Sequence, residues 1–367
     1  MKRSLVILFD IVWIPVVCIF VMIGLFSAYI PQGLNFFLLS SQELLAPTSV
    51  QTQLENGTIW GVDFSQSQAE YLQLNWKDTY SAIINDLKVR HIKLHTNWDW
   101  VEGEKDQFFF NDIDWQIEQA EQSDVKIIYV VGMKTGRWPE CHIPTWAEHL
   151  SEEQQQASVL KYITTVVSRY KNSKAIRSWQ IENEPLLKFG ECPAWYYNND
   201  DFLRKEVALV KSLDPSRSIV VSDSGELSNW LDAASIGNIV GITMYRNRWP
   251  SNVRTFGTSS YSFLDPAVYA KKARLIKSSF GKDVIGIELQ AEPWASKPLM
   301  VAPLQEQIRS MNLDMFKEDI TFAKQTGLNE FYFWGVEWWY WMKETKNQPE
   351  IWNEAKQLLI TDLRKSG

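Results

Sequence analysis

A chain of 367 residues is long enough to bury a large core and to form one barrel domain or two smaller domains. Its formal net charge of -7 provides no basic surface for nucleic acid, which is therefore excluded as an expected partner. The 18 tryptophans exceed the usual need of one core, although an unusually aromatic core would account for many of them.

The first thirty residues differ in composition from the rest of the chain. Residues 11–30 are free of charge and mostly apolar, and the run is long enough for a transmembrane helix. Lys2 and Arg3 precede this run and favour a cytoplasmic amino terminus, which places the remainder outside the cytoplasm. A cleaved signal peptide is the alternative. We therefore expect a membrane anchor over residues 1–32, or a secreted protein if this segment is cleaved.

Residues 33–57 are expected to be a tether, and strand-like and helix-like segments alternate over residues 58–367. The predicted strands are Ile59–Phe64, His91–His95, Lys126–Val131, Ile176–Ile181, Ser218–Ser222, Ile239–Met244, Val284–Ile287 and Glu330–Trp334. The helical patterns between and after them are Trp76–Leu87, Ile113–Gln122, Ser151–Tyr170, Phe202–Leu213, Pro266–Phe280, Asp314–Thr326 and Trp352–Leu363.

This alternation predicts an α/β fold with a parallel sheet, and eight strands are the number that closes a (β/α)8 TIM barrel. An open doubly wound sheet is the alternative. It should carry a glycine-rich turn after its first strand, and residues 61–67 contain no such phosphate-binding motif. We therefore predict a single (β/α)8 barrel preceded by an N-terminal transmembrane helix.

Two acids are predicted at the carboxyl ends of strands. The stretch Arg-Ser-Trp-Gln-Ile-Glu-Asn-Glu-Pro begins as a strand and must end by Pro185, because proline cannot donate to a sheet ladder. Asn183 and Glu184 then lie at the edge where barrel enzymes carry their active sites. Glu288 closes the seventh predicted strand in the same way. The hydrolysis of a glycosidic bond requires two carboxylates in such an arrangement. The sequence therefore predicts a glycoside hydrolase.

Two further acids lie close to this pair in sequence. Glu292 follows Glu288 by four residues and could compete as the second catalytic acid, but it falls in the loop beyond the predicted strand. Glu182 precedes Glu184 by two residues, which places both on one strand face. We interpret Glu182 as a neighbouring support or a member of a core ion pair, without a catalytic role.

The pattern resembles the clan A glycoside hydrolases, which are retaining (β/α)8 enzymes with Asn-Glu at the end of strand four and a second Glu at the end of strand seven. Residues 179–184, Trp-Gln-Ile-Glu-Asn-Glu, are similar to the strand-four signature of the clan's β-galactosidase families. Residues 98–114 resemble the segment after strand two in those families. The resemblance implies that Glu184 is the general acid/base and Glu288 the nucleophile of a double displacement that cleaves β-glycosidic bonds.

The same resemblance suggests residues that bind substrate. Asn183 is expected to contact the sugar 2-hydroxyl, Tyr245 to lie beside the nucleophile after strand six, and Trp334 to stack on a sugar at the end of strand eight. The clan commonly has an arginine near the end of strand two, where this chain has Lys93 or His95. The sequence leaves open which of them approaches the nucleophile.

There are other departures from the clan. Arg90 comes too early in strand two to be the usual arginine. The histidine often found two residues before the strand-six tyrosine is Thr243 here, which argues against the clan members that carry that histidine and leaves the core chemistry untouched.

Tryptophans in the predicted βα loops are candidates for sugar contacts, with Trp98, Trp138 and Trp294 taken as substrate-binding residues. About a third to a half of the loop tryptophans are expected to line a cleft, since ligand pockets favour aromatic walls. The full set is Trp98, Trp100, Trp138, Trp146, Trp195, Trp249, Trp294, Trp338 and Trp339.

Cys141 and Cys192 fall in the loops after the third and fourth strands, at one face of the barrel. Outside the cytoplasm such a pair could form a disulfide, and two buried free thiols are the alternative. The four histidines form no His-x-His pair, so neither a metal ion nor a cofactor is expected.

The predicted partner is a carbohydrate substrate, an oligosaccharide or polysaccharide, with the membrane contacted through the N-terminal helix. A non-catalytic glycan-binding barrel and a transglycosylase on the same scaffold are the alternatives. The sugar configuration and linkage are left open, because loop contacts determine which hydroxyl orientation is recognised.

Overall fold

A computed structural model describes residues 57–197, 199–248, 259–261 and 264–366. The predicted membrane segment, residues 1–32, and residues 33–56 of the predicted tether lie outside these ranges, as does Trp249. No helix within the described part of the chain combines the length and the apolar character that crossing a membrane requires.

Eight parallel strands form a closed barrel, as the sequence predicts. Around the barrel the order is β1-β8-β7-β6-β5-β4-β3-β2, so strands adjacent in the chain pair with one another. The strands are β1 Ile59–Phe64, β2 His91–His95, β3 Lys126–Val131, β4 Ile176–Ile181, β5 Ser218–Ser224, β6 Ile239–Met244, β7 Asp283–Gln290 and β8 Glu330–Trp334.

Two of these strands are longer than predicted. β5 continues to Ser224, which pairs with Thr243, and β7 continues to Gln290, which pairs with Trp334. The added residues are partly polar, and only their partners across the sheet show that they remain in strands. A two-stranded antiparallel ribbon, Asn247–Arg248 with Ser259–Ser260, was not predicted.

Helices cover the outside of the barrel and extend several βα connections. They are α1 Gln66–Tyr71, α2 Trp76–Asn85, α3 Trp98–Val101, α4 Asn111–Gln122, α5 Glu152–Tyr170, α6 Asp200–Leu213, α7 Leu231–Ile236, α8 Pro266–Phe280, α9 Leu304–Ser310, α10 Leu313–Gln325, α11 Val336–Lys346 and α12 Glu350–Ser366. The predicted helix start at Ser151 is its N-cap: Ser151 and Gln154 form a capping box.

The barrel interior changes from apolar to polar towards the carboxyl ends of the strands. Its apolar part is a cluster of buried side chains separate from the main core, formed by Ile128, Val220, Ile285, Ile287 and Tyr332. Gly61 leaves room for Tyr332, because a Cβ at Gly61 would lie 2.6 Å from the tyrosine ring. On β5 the next residue on the same face as Val220 is the polar Ser222. The strands therefore deliver polar groups to the end of the barrel that carries the site.

A disulfide joins the loops that follow β3 and β4. Cys141 and Cys192 are bonded, with their Cα atoms 5.2 Å apart, which confirms the disulfide as the correct alternative. Replacing both cysteines by serine is expected to lower the free energy of unfolding by about 2–4 kcal/mol, because the bond constrains the unfolded chain over a separation of 51 residues.

Urea denaturation of the double serine variant, beside wild type with and without a reducing agent, checks this prediction. The denaturation midpoint of the reduced wild-type protein should equal that of the double variant. Equal denaturation midpoints for the oxidised and reduced wild-type protein would contradict it.

Candidate active site

The turn after β4 carries the first acid of the predicted pair. β4 ends at Ile181, before the predicted stop at Pro185, and Glu182 and Glu184 follow with positive φ angles of 58° and 43°. Non-glycine residues rarely adopt this conformation, and such strain clusters at functional sites. The prediction that Glu182 shares a strand face with Glu184 is therefore wrong, because the chain has left the strand at Glu182.

The Glu182 side chain links this turn to the loop after β3. Its carboxylate accepts hydrogen bonds from the backbone N–H of Met133, at 2.8 Å, and of Lys134, at 2.5 Å. Lys134 Nζ in turn donates to the carbonyl oxygens of Glu184, at 2.8 Å, and Leu187, at 3.1 Å. The loop after β3 thus holds the segment that carries Glu184. Sequence reasoning missed Lys134, because no local pattern shows which loop its amine reaches.

The Glu184 carboxyl group is buried. Thr243 Oγ1 donates to its Oε1 at 2.8 Å, and the backbone N–H of Glu184 donates to Ser222 Oγ at 2.8 Å. Burial raises the pKa of Glu184 to about 8, with the charge of Glu288 adding to the effect and Lys134 and Thr243 opposing it. A carboxyl group with this pKa is protonated at neutral pH and can act as a general acid.

Glu288 is held differently. It lies on β7 two residues before the end of the strand, not at the end as predicted, because the strand continues to Gln290. Its Oε1 accepts from Lys93 Nζ at 2.7 Å and its Oε2 from the Tyr245 hydroxyl at 2.8 Å. One donor on each oxygen orients the carboxylate and offsets the burial of its charge.

Lys93 is the strand-two residue that approaches Glu288, which answers the question left open by the sequence. Its buried amine also contacts Asp63 Oδ2 at 2.9 Å and Asn183 Oδ1 at 3.2 Å. Burial alone would lower the Lys93 pKa, but the carboxylates of Asp63 and Glu288 outweigh burial and raise it. Lys93 is therefore a permanent cation beside Glu288.

His95 contacts Asp63, the carboxylate that also pairs with Lys93. Its Nε2 lies 2.6 Å from Asp63 Oδ1, and its Nδ1 contacts the carbonyl of Thr135. Burial opposes ionisation of Asp63, yet His95 and Lys93 together lower the pKa of Asp63 to about 2. His95 lines a cavity beside α3 and α4, and its ring packs edge-on against Trp334 with centroids 6.0 Å apart.

Glu184 and Glu288 face one cavity of about 300 Å³, which Asn183 and Tyr245 also line. A larger cavity of about 600 Å³ adjoins it and includes Glu292. Tyr245, Trp294 and Trp334 line both cavities, so these aromatic side chains connect the two. Volumes in this range are typical of ligand sites.

Trp138, Trp294 and Trp334, which the sequence analysis takes as sugar contacts, all line the larger cavity. Trp138 is 64% exposed at the rim of the larger cavity. Trp294 packs edge-on against Tyr245, with ring centroids 5.3 Å apart. Trp334 donates from Nε1 to Glu292 Oε1 at 2.9 Å. Aromatic faces and nearby hydrogen-bond acceptors suit the apolar and hydroxyl sides of a sugar ring.

Trp98 is a correction to the sequence-based prediction. The short helix α3 buries its side chain completely, and its Nε1 donates to Glu102 Oε2 at 2.8 Å. Trp146 and Tyr162 pack against it, with ring centroids 5.6 and 6.0 Å away. Because these neighbours cover the ring, Trp98 does not line the cleft.

The tryptophans after β8 are also core residues. Trp338, Trp339 and Trp341 belong to the unpredicted helix α11 and are buried. Trp339 donates to the carbonyl of Ala291 at 2.7 Å and packs edge-on against Phe316. The apolar residues of this helix are grouped in its first half instead of being spaced along one face, so the sequence shows no amphipathic pattern there and the segment was taken for a cleft-lining loop.

Glu292 belongs to a buried charge network in the cavity that adjoins that of Glu184 and Glu288. Arg137 donates to Glu292 Oε1 and, at 3.1 Å, to Glu337 Oε2, and its guanidinium lies 3.9 Å from the centre of the Trp334 ring. Glu292 lines the larger cavity, whereas Glu288 lines the cavity of Glu184. This geometry favours Glu288 over Glu292 as the partner of Glu184.

Comparisons with known proteins agree with this geometry. A profile described as "Glycosyl hydrolase family 10" matches residues 58–239. The structure resembles that of xylanase 10B from Thermotoga maritima, with a TM-score of 0.56 and 15% identity, over 87% of this chain and 100% of the other. It also resembles a cold-adapted β-galactosidase from Rahnella sp. R3, with a TM-score of 0.56 and 11% identity, over 86% and 57%. Together these findings support a clan A glycoside hydrolase barrel.

Curated relatives of this clan A barrel match over shorter stretches. A "Probable mannan endo-1,4-beta-mannosidase A" from Aspergillus niger is 27% identical over 120 residues, 31% of this chain and 30% of the relative. "Endo-1,4-beta-xylanase 2" from Claviceps purpurea is 24% identical over 185 residues, 49% and 53% of the two chains. The chain thus spans about a third to a half of the length of these relatives. These matches support the sequence-based prediction of a glycosidase.

Proposed function

We propose that this clan A barrel is a retaining glycoside hydrolase that cleaves β-glycosidic bonds in an oligosaccharide or polysaccharide. Glu184 is the general acid/base and Glu288 the nucleophile. The observation that carries the proposal is the contrast between two carboxyl groups in one cavity. Glu184 has a raised pKa and a hydroxyl donor, whereas Glu288 has a cation and a phenol donor. Acid and base roles divide between carboxyl groups in this way.

In the first step Glu288 attacks the anomeric carbon while Glu184 gives its proton to the leaving oxygen, which breaks the glycosidic bond and forms a glycosyl ester. Esterification removes the charge of Glu288, and that charge is one cause of the raised Glu184 pKa. The Glu184 pKa therefore falls when the group must become a base. It then takes a proton from water, which attacks the anomeric carbon and releases the sugar with retained configuration.

Other side chains around the pair position the reacting groups. Lys93 and Tyr245 orient Glu288, and Lys93 also fixes the amide oxygen of Asn183. The Asn183 amide then has its NH₂ side for the sugar 2-hydroxyl, where hydrogen bonds strengthen in the transition state. No cofactor takes part in these steps.

We propose that the substrate is a β-1,4-linked polysaccharide cleaved within the chain. Two adjoining cavities with shared aromatic walls suit several consecutive sugars better than a single terminal one. Relatives named as endo-1,4-β-mannosidase and endo-1,4-β-xylanase support this linkage and mode of cleavage.

We also propose that the barrel acts outside the cytoplasm. The disulfide between Cys141 and Cys192 supports this location, because such bonds persist in oxidising compartments. The predicted anchor over residues 1–32 would hold the barrel at the membrane, and alkaline carbonate washing of membranes would then leave the protein bound. A shortened soluble form in the medium would indicate cleavage instead.

A substrate panel tests the proposed activity. Wild type, Glu184→Gln and Glu288→Gln are incubated with xylan, mannan, galactan and aryl β-glycosides, and a fluoro-sugar that traps the glycosyl-enzyme is added. Turnover by wild type alone and a label on Glu288 are expected. Glycan binding without cleavage of any substrate would instead favour a non-catalytic glycan-binding barrel.

The pH profile provides a second test. Activity depends on protonated Glu184, so kcat/KM is expected to fall as the pH rises through about 8. The Thr243 hydroxyl stabilises the ionised form of Glu184 and lowers its pKa, so Thr243→Val should move this alkaline limb to higher pH, whereas Thr243→Ser should leave it in place. A limb that moves to lower pH in Thr243→Val would contradict the assignment.

A further inference from the structure

A third carboxyl group, that of Glu140, lies where the two cavities meet. Glu140 lines both the cavity of the two glutamates and the larger one beside it. The residue is only 7% exposed, and its buried Oε2 has no hydrogen-bond partner among the described residues. A buried carboxyl oxygen without a hydrogen bond raises the free energy of the folded protein, and a ligand that donates a hydrogen bond to it would remove this cost.

Two loops hold Glu140 in this position. Its φ angle of 76° is unusual for a residue other than glycine. Gly190 on the facing loop makes the approach possible, because a Cβ there would lie 2.5 Å from the Cβ of Glu140. The backbone N–H of Glu191 donates to the carbonyl of Pro139 at 2.9 Å. The side chain is therefore pre-organised towards the cavities, as binding groups are.

Several cations near Glu140 bind other acceptors among the described residues. Lys134 binds the backbone carbonyls of Glu184 and Leu187, Lys93 binds the carboxylates of Asp63 and Glu288, and Arg137 binds Glu292 and Glu337. The His142 ring contacts Asp99 and the carbonyl of Gly136. Burial raises the pKa of Glu140 to about 7; the charge of Glu288 adds to this effect, and Lys134, His142 and Lys93 oppose it. Above this pH, Glu140 is a carboxylate whose Oε2 has no hydrogen-bond partner in the part of the chain that the structure describes.

Glu292 presents a second free acceptor to the larger cavity. Its Oε1 accepts from Arg137 and Trp334, but its buried Oε2 has no partner among the residues that the structure describes. Arg137 already balances the charge of Glu292. A further cation is therefore not required there, and the free oxygen suits a neutral hydrogen-bond donor.

We propose that Glu140 and Glu292 determine specificity by accepting hydrogen bonds from hydroxyl groups of the sugar residue in the larger cavity, next to the cleaved bond. This inference rests on the proposed function and adds the residues that select the substrate. A sugar that lacks these hydroxyls would leave two buried carboxylate oxygens unpaired. Sites built in this way reject such analogues strongly.

Steady-state kinetics of Glu140→Gln on the longest oligosaccharide that wild type cleaves test the proposal. KM is expected to rise about tenfold or more, as for loss of a charge-assisted hydrogen bond, with kcat changed less than about threefold. The wild-type KM should rise as the pH falls through about 7, because protonated Glu140 accepts poorly, and Glu140→Gln should lose this dependence. Glu148→Gln, at an exposed position of the same loop, is the matched control and should behave as wild type.

Glu140→Asp provides a second variant, with the charge kept but the reach shortened, and it should also raise KM. Unchanged KM values and an unchanged pH dependence in an active, folded Glu140→Gln would overturn the inference and leave the proposed function intact. A KM at least tenfold lower for amino-sugar oligosaccharides than for neutral ones would overturn the hydroxyl assignment. If wild type cleaves nothing, the proposed function fails, and calorimetric Kd values of the same variants for the oligosaccharides decide the inference separately.

Discussion

Glu288→Gln is expected to lower kcat by at least about 10⁴-fold, because an amide cannot form the glycosyl ester and residues of a catalytic unit show losses of this size. The amide keeps the shape of the side chain, so Lys93 and Tyr245 can still contact its oxygen and nitrogen positions. Burst-phase and steady-state kinetics on the best substrate of the panel measure the effect, and circular dichroism verifies the fold.

Azide separates the roles of the two glutamates. In Glu288→Gly, azide should enter from the nucleophile's side and give a glycosyl azide of inverted configuration. In Glu184→Gly, azide should attack the glycosyl-enzyme and give the retained configuration. Covalent labelling that disappears in Glu292→Gln but persists in Glu288→Gln would instead make Glu292 the nucleophile.

Lys93→Met is expected to lower the free energy of unfolding by about 3–5 kcal/mol, because it leaves Asp63 and Glu288 as buried charges without their shared cation. It should also lower kcat by roughly 10²-fold, the effect of removing one oriented donor from a site. Thermal and urea denaturation, together with kinetics, measure the two effects.

The pH dependence of this loss has a defined sign. The pKa of Asp63 is depressed to about 2 in the folded protein, so its ion pair contributes stability above its unfolded pKa near 4. The difference between wild type and Lys93→Met should therefore be largest at neutral pH and shrink as the pH falls from about 4 towards 2. Lys161→Met, which breaks the exposed pair with Asp106, is the control and should leave stability unchanged within error. A Lys93→Met protein as stable as this control would refute the prediction.

Much of the barrel follows from local sequence patterns. Short apolar runs between helical segments predicted the strands closely, since a strand in a parallel sheet is buried on both faces and reads as a continuous apolar run. The carboxyl ends of such strands share one edge, so the sequence also placed Glu184 and Glu288 at the same end of the barrel. Trp98 and the tryptophans of α11 were misplaced, because exposure depends on which neighbouring segments cover a ring.

The sequence by itself determined the eight-strand alternation and the pair of acids at one edge of the barrel, and its resemblance to clan A suggested Asn183, Tyr245 and Trp334 beside them. Only the tertiary structure decided that Lys93 approaches Glu288, that Glu182 and Lys134 hold the Glu184 turn, and that Glu140 faces both cavities. The reason is physical. The periodicity of apolar residues and the residue preferences of turns depend on a few neighbouring residues. The partner of a buried charge instead lies on a loop distant in sequence, which comes close only when the barrel closes.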